Sequence, residues 1–523
     1  MQYKKRSANK NADFKGDYLM NKRAYTVCFD LFIPSLASFT LTRIPKMKNL
    51  ITVVCATAII ALAGCSSSST PPPREDTPSP PQPSAQIQVV HAVADAPSIT
   101  VNVGGPPPAG SDLIGLVFAG VSNGSFLPVD AVDVSVDANL PDGTAVEVVA
   151  ATPVDFVVDT RTIIVATGAV GAIEAVVLVQ DVPGAASTGN ARLRFMHAAV
   201  GVGTVDVYAT APDADLAASA PVATIAFQEA GDVLDLAPGD YQVRVTPTGD
   251  PATVIFDAGT ATLIGGEDIL AVAVNNTTAS TQPITLLVAD TTTGDSDVVQ
   301  DVNGEAATRF VHASPDAGPF DILVDDVAEV EGIVYTEFAE TEGRAPATYD
   351  IEVTAAGDAL TSVFQVDITL SSGGYYESTA LGSVLAVPVE PAAAEEFTVG
   401  LTAFGFHDYR RIVTDTKLRI VHASVLAAAG ADIYVVEAGT DITGATATAA
   451  GAVIGDSTGF ITLDPGSYDI VITVVDEVTE EDVEVFRMDA VALDADGIYS
   501  AIAVDDLVNV GELSIIALDD LAP

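Results

Sequence analysis

Four of the chain's five histidines share one recurring setting: IQVVHAVADAPSITVNV, LRFMHAAVGVGTVDVYA, TRFVHASPDAGPFDILVDD and LRIVHASVLAAAGADIYVV place them at His91, His197, His312 and His422. An imidazole titrates near neutral pH and is the commonest metal ligand, so these positions are the sharpest candidates for chemistry. Asp206, Asp321 and Asp432 follow three of them nine or ten residues later. Across a hairpin each couple could bind a metal or move a proton. One His and one Asp per repeat fall short of a zinc ligand set, and Thr100 stands where the first repeat should carry its Asp. The favoured reading is therefore structural: each ring bonds backbone or the Asp and fixes the hairpin. His407, beside Arg410 and Arg411, falls outside the pattern and reads as a solvated loop residue.

Three runs are rich in carboxylates: Asp137 to Gly143, Asp290 to Asp301 and Asp476 to Asp482. They offer hard oxygen ligands at loop spacing, which suits Ca²⁺, but none has the EF-hand spacing with its terminal Glu. Weak, dispersed cation binding is the expectation, with no resident cofactor. No H-E-x-x-H pair or phosphate-cradling G-x-x-x-x-G-K-[ST] occurs. Carboxylates are so frequent that pairs at glycosidase spacing arise by composition. A non-enzymatic protein is expected.

Leu62, Ala63, Gly64 and Cys65 close a short apolar run from Leu50 to Ala63 that is preceded by Lys46 and Lys48. That run is too short for a stable membrane span and reads as a signal peptide. The four residues resemble the lipobox of bacterial lipoproteins. The resemblance implies cleavage before Cys65, acylation of its thiol, and a membrane partner reached through that lipid. Residues 47–64 are then the signal, and residues 1–46 a non-native upstream extension ahead of the initiator Met47. Cys28 and Cys55 lie before the cleavage site, so the exported chain has no disulfide and rests on its core. Ser66 after the cysteine lacks the Asp that resembles an inner-membrane retention signal, and outer-membrane sorting is expected.

Residues 65–86 are Ser- and Pro-rich and read as an extended tether. The chain carries 71 acidic against 22 basic residues, a net charge of -49, and nearly half of the Lys and Arg precede Cys65. Nucleic acid is excluded as a partner for so acidic an exported part.

Few aromatics, no Trp, 41 Gly and 30 Pro with abundant Val, Ile and Thr point to short strands joined by turns. Four tandem units follow from the repeats: 87–189, a divergent first copy, then 190–304, 305–415 and 416–523. In Asp240 to Val245 the alternation has period two, with Tyr241, Val243 and Val245 on one face. Pro238 to Tyr241 and Pro465 to Tyr468 each place a Tyr after a tight turn, and Tyr349 stands at the same place in the third unit. These tyrosines resemble the tyrosine corner of Ig-like sandwiches, whereas Val132 takes the place in the first unit. The fold class expected is all-β, four tandem Ig-like antiparallel β-sandwich domains after a signal peptide and a disordered tether.

RFVHASPDAG, followed by a strand with Asp321 and later by the tyrosine hairpin, is similar to the bacterial domain of unknown function family 4397, found as tandem repeats in exported proteins. The resemblance covers residues 87–523 and implies an Ig-like fold but no activity. Three functions remain open: a lipid-anchored structural or adhesive rod at the cell envelope, a module binding glycan, peptide or cation, and an exported hydrolase. Glycan binding would draw on the rings of Tyr375, Tyr376 or Tyr409, since Trp is lacking.

Overall fold

The chain is seen in a computed structural model that describes residues 84–519, apart from 107–110, 112, 124, 129–130, 182–188, 384–399, 407–409, 429, 476–481 and 510. The signal sequence, Cys65, His407, Tyr409 and most of the acidic run at 476–482 lie outside the described residues. The first strand, Ser84–His91, begins inside the stretch read as tether.

The described chain is all-β, and each unit has two sheets. The first sheet holds the strand ending in the repeated histidine: Ser84–His91, Ala191–His197, Ala306–His312 and Thr416–His422. The second sheet carries the Asp and tyrosine hairpins. Period two holds where expected: Val243 and Val245 enter the second unit's core, and Gln242 and Arg244 leave on the other face.

In one respect the sheets depart from the antiparallel expectation. Each histidine strand lies parallel to a central partner: Thr160–Thr167, Asp268–Asn275, Tyr375–Leu381 and Ile498–Asp505 in the four units. A parallel pair needs a crossover, and here the chain makes it through the whole second sheet before returning.

The parallel pairs are apolar on both faces. Along Thr416–His422, Leu418 and Ile420 enter their own unit's core, while Val421 lies in a separate apolar cluster with Ala423, Ile502, Val504, Ile516 and Leu518. That cluster also contains Val311, Ala313 and Leu381 of the third unit. An equivalent cluster joins Val90, Ala92, Ile163 and Val165 of the first unit to Met196, Ala198, Leu270 and Val272 of the second. The first sheets therefore pack face to face, unit 1 on unit 2 and unit 3 on unit 4. Burying a Val, Leu or Ile side chain this way contributes about 1.5–3 kcal/mol.

This packing ties the units to one another in couples. A sheet with two apolar faces cannot stand in water, so neighbouring units cover each other. Further contacts cross the other junctions. Ala279 N–H donates to Gly373 O at 3.0 Å between units 2 and 3. Ahead of the fourth unit, Val413 N–H donates to Asp95 O of the first at 3.0 Å.

Candidate functional site

The histidine sits where its strand turns into a loop, and its ring closes that loop on itself. Nε2 lies 2.9 Å from Pro97 O in the first unit. In the others it lies 3.0 Å from Gly203 O, 3.1 Å from Gly318 O and 3.0 Å from Ala427 O. A carbonyl only accepts, so Nε2 carries the proton. Nδ1 then accepts from the backbone N–H two residues on, at 3.3 Å for Val93, Ala199 and Ser314 and 3.4 Å for Ser424. All four rings are buried. Burial pushes the His91 imidazole down to about 4, against the Pro97 carbonyl that favours its proton, with repulsion from Arg410 adding to the shift. Burial likewise lowers His312 and His422.

A turn from the neighbouring strand caps each histidine. The N–H of Ala119, Gln228, Thr336 and Gly455 donates to the histidine carbonyl at 2.7 to 2.9 Å. All four residues are left-handed, with φ of 62, 65, 70 and 94 degrees, although only the fourth is a glycine.

The Asp residues lie elsewhere. Asp206, Asp321 and Asp432 alternate with core residues of the second sheet and so point away from the sandwich interior that holds the histidines. Asp321 accepts from the N–H of Gly332 and of Gly357, each at 2.7 Å. Asp206 takes the Thr224 hydroxyl at 2.6 Å and Gly249 N–H at 2.8 Å, and Asp432 takes Gly451 N–H at 2.7 Å. These glycines have φ from 63 to 78 degrees, so the carboxylate holds left-handed turns. No His–Asp couple forms: the rings bond backbone in their own loops, and the carboxylates bond neighbouring turns.

The tyrosines repeat one geometry. Tyr241, Tyr349 and Tyr468 donate their hydroxyls to the carbonyls of Ala237, Ala345 and Asp464, four residues back, at 3.0, 2.9 and 2.7 Å. Of the rings considered for glycan stacking, Tyr375 and Tyr376 are 6% and 8% exposed and present no platform. In the acidic runs, Asp142 receives Thr144 N–H at 2.7 Å and Asp290 receives Thr292 N–H at 2.7 Å, closing local turns. Among the described residues no group of three or more His, Cys, Asp or Glu is placed to hold a metal.

Sequence reasoning missed a set of buried charges between paired sheets. Arg161 and Asp268 meet at 3.1 Å across units 1 and 2, with Gln180 3.3 Å from the same carboxylate. Glu377 lies 2.7 Å from Arg419 across units 3 and 4 and 3.8 Å from Arg309 of its own unit. Arg309 also pairs with Glu340, and Arg419 reaches Ser500 Oγ at 2.9 Å. A single charge inside an apolar strand, as in YYESTAL, was the available signal.

Residues 85–208 and 306–403 match the family model described as Domain of unknown function (DUF4397). The chain carries repeats of this domain. The first DUF4397 match runs through the first unit and into the second as far as Tyr208, and the other takes in most of the third. No curated protein matches the chain. Solved structures match it only loosely, among them the following two. The multi-modular glycogen-degrading pneumococcal virulence factor SpuA, in a product complex, aligns at 8% identity and TM-score 0.15 over 76% of this chain and 37% of its own. This chain thus spans little more than a third of SpuA. A candidate cell adhesion protein of Bacteroides fragilis aligns at 8% identity and TM-score 0.11 over 40% of this chain and 86% of its own. Neither alignment bears on what the DUF4397 units do.

Proposed function

We propose that this protein is held at the cell envelope, at the outer membrane, by a lipid on Cys65, and that its paired DUF4397 units form a structural or adhesive surface without catalytic activity. One observation carries the reading. The side chains that recur from unit to unit, and that resembled a reactive set, are bonded to the backbone of loops and turns, which is how a scaffold uses polar groups. The lipobox-like residues and the acidic, disulfide-free composition support the location. With Tyr375 and Tyr376 buried, a glycan-stacking role has lost two of its three rings, so adhesion through peptide or polar surface contacts is the stronger form of the idea.

Fractionation of a deletion strain beside its parent tests the proposal, with adhesion, envelope integrity and polysaccharide use compared. Loss of adhesion or integrity with unchanged polysaccharide use supports it. A defect confined to polysaccharide use, or recovery of the protein from the soluble fraction, would overturn it.

A further inference from the structure

The two sheet pairs are stacked with equivalent residues level with one another. Arg161 is in register with Gln86, five residues before His91, and it meets Asp268, in register with Arg192, five before His197. Glu377 is in register with Arg309, three residues before His312, and it meets Arg419, three before His422. The charged layer of the first pair therefore lies two residues farther from the histidines than that of the second. At the level of Arg161 and Asp268, units 3 and 4 carry Tyr375 and Ile498. At the level of Glu377 and Arg419, units 1 and 2 carry Ile163 beside Gln88 and Leu270 beside Arg194.

We infer that these offset layers are a pairing code: Arg161 with Asp268 and Glu377 with Arg419 determine which first sheet accepts which, so that unit 1 selects unit 2 and unit 3 selects unit 4. The apolar clusters share one chemistry, Val, Ile, Leu and Ala with a single Met, and so tell partners apart less sharply than charges do. A 1·4 pairing sets Arg161 against Ile498 and Arg419 against Ile163, leaving two buried guanidinium groups without a facing carboxylate. A 2·4 pairing sets Arg419 against Leu270 and beside Arg194, and a 1·3 pairing leaves Glu377 facing Gln88, with only Arg309 of its own unit 3.8 Å away. A buried charge without its partner costs far more than a matched pair contributes, so the layers act chiefly by penalising wrong partners.

Hydrogen exchange on the full chain tests the code, read at Tyr375–Leu381 and Thr416–His422, with Thr160–Thr167 and Asp268–Asn275 as reference. Glu377→Arg is expected to speed exchange about tenfold or more in the first two strands and to leave the reference strands unchanged. Adding Arg419→Glu, which rebuilds the pair reversed, should bring exchange back to within about threefold of the parent. Adding Arg161→Glu instead, the same charge change in the wrong pair, should open all four strands. Glu377→Gln, which keeps the shape, should give the Glu377→Arg pattern at smaller amplitude, so a failure of the harsher variant to fold leaves the test standing. Three results would overturn the inference: unchanged exchange in Glu377→Gln and Glu377→Arg, no recovery in the reversed pair, or equal recovery with Arg161→Glu.

Discussion

The Nε2 of His91 lies 2.9 Å from the carbonyl oxygen of Pro97, six residues along the chain, so one side chain spans and locks the loop between the two sheets of its unit. The ring is fully buried, with an edge-to-face contact to Phe118 at 6.2 Å between ring centres. A charged imidazole would have to be paid for by desolvation there, and the neutral ring satisfies both nitrogens with backbone.

Stability should therefore fall on mild acidification. The folded His91 holds its proton less tightly than the unfolded one, near 4 against 6.5, and His312 and His422 shift the same way. Stability from these groups is complete above about pH 6.5 and is lost as pH falls toward 4, by at most about 3 kcal/mol for His91. Denaturant unfolding between pH 7.5 and 5, before most carboxylates titrate, should show the decline, and His91→Gln should flatten it. A parent curve that is level over that range contradicts the assignment.

His312→Ala should cost on the order of 1–3 kcal/mol, because Gly318 O and Ser314 N–H lose their partner in a buried loop. Metal content by elemental mass spectrometry should be the same in variant and parent. Stoichiometric zinc or nickel that vanishes with the substitution would refute the structural role.

Tyr468→Phe removes only the hydroxyl that bonds Asp464 O and should destabilise by about 1 kcal/mol. Tyr241→Phe should cost less, since that hydroxyl bonds Ala237 O at an exposed position. Thermal melts of both variants give the comparison, and equal losses would show that exposure does not set the value of the corner.

Salt should raise the melting temperature, since 71 acidic residues face 22 basic ones and like charges repel over a Debye length of about 10 Å at 0.1 M salt. Ca²⁺ should act at lower concentration by bridging loop carboxylates. Melts from low salt to seawater-like salt, with and without Ca²⁺, check this, and a flat or falling midpoint is the contrary result.

Intact-mass analysis of the envelope protein should find Cys65 acylated and residues 1–64 gone. A multiply acylated cysteine anchors stably, whereas one chain binds only marginally. An unmodified Cys65, or a chain retaining Met47, would remove the basis for the proposed location.

The repeats, the all-β class and the tyrosine corners were legible in the sequence because each depends on local residues: a turn, an alternating strand, a ring four residues from its acceptor. The pairing of sheets was not read. Its sign was present in VVH, FMH and IVH, where alternation breaks down before the histidine, because Val90, Met196 and Val421 face a neighbouring unit while the residues before them face their own core. Period-two logic presumes one wet face, and these strands have none. Nor could spacing reveal that His312 points into the sandwich from the first sheet while Asp321 points out of the second, or that Arg161 and Asp268, 107 residues apart, would meet.

First sheets that cover one another in couples, 1 on 2 and 3 on 4, have a consequence for where this chain can be divided. Among the described residues each first sheet has its partner, and a division that separates a couple would leave Val, Ile and Leu side chains in water, inviting association with any similar surface. A single unit cut from this chain would expose the apolar face that its neighbour covers, so the smallest part of it able to hide all its apolar surface is the couple rather than the domain.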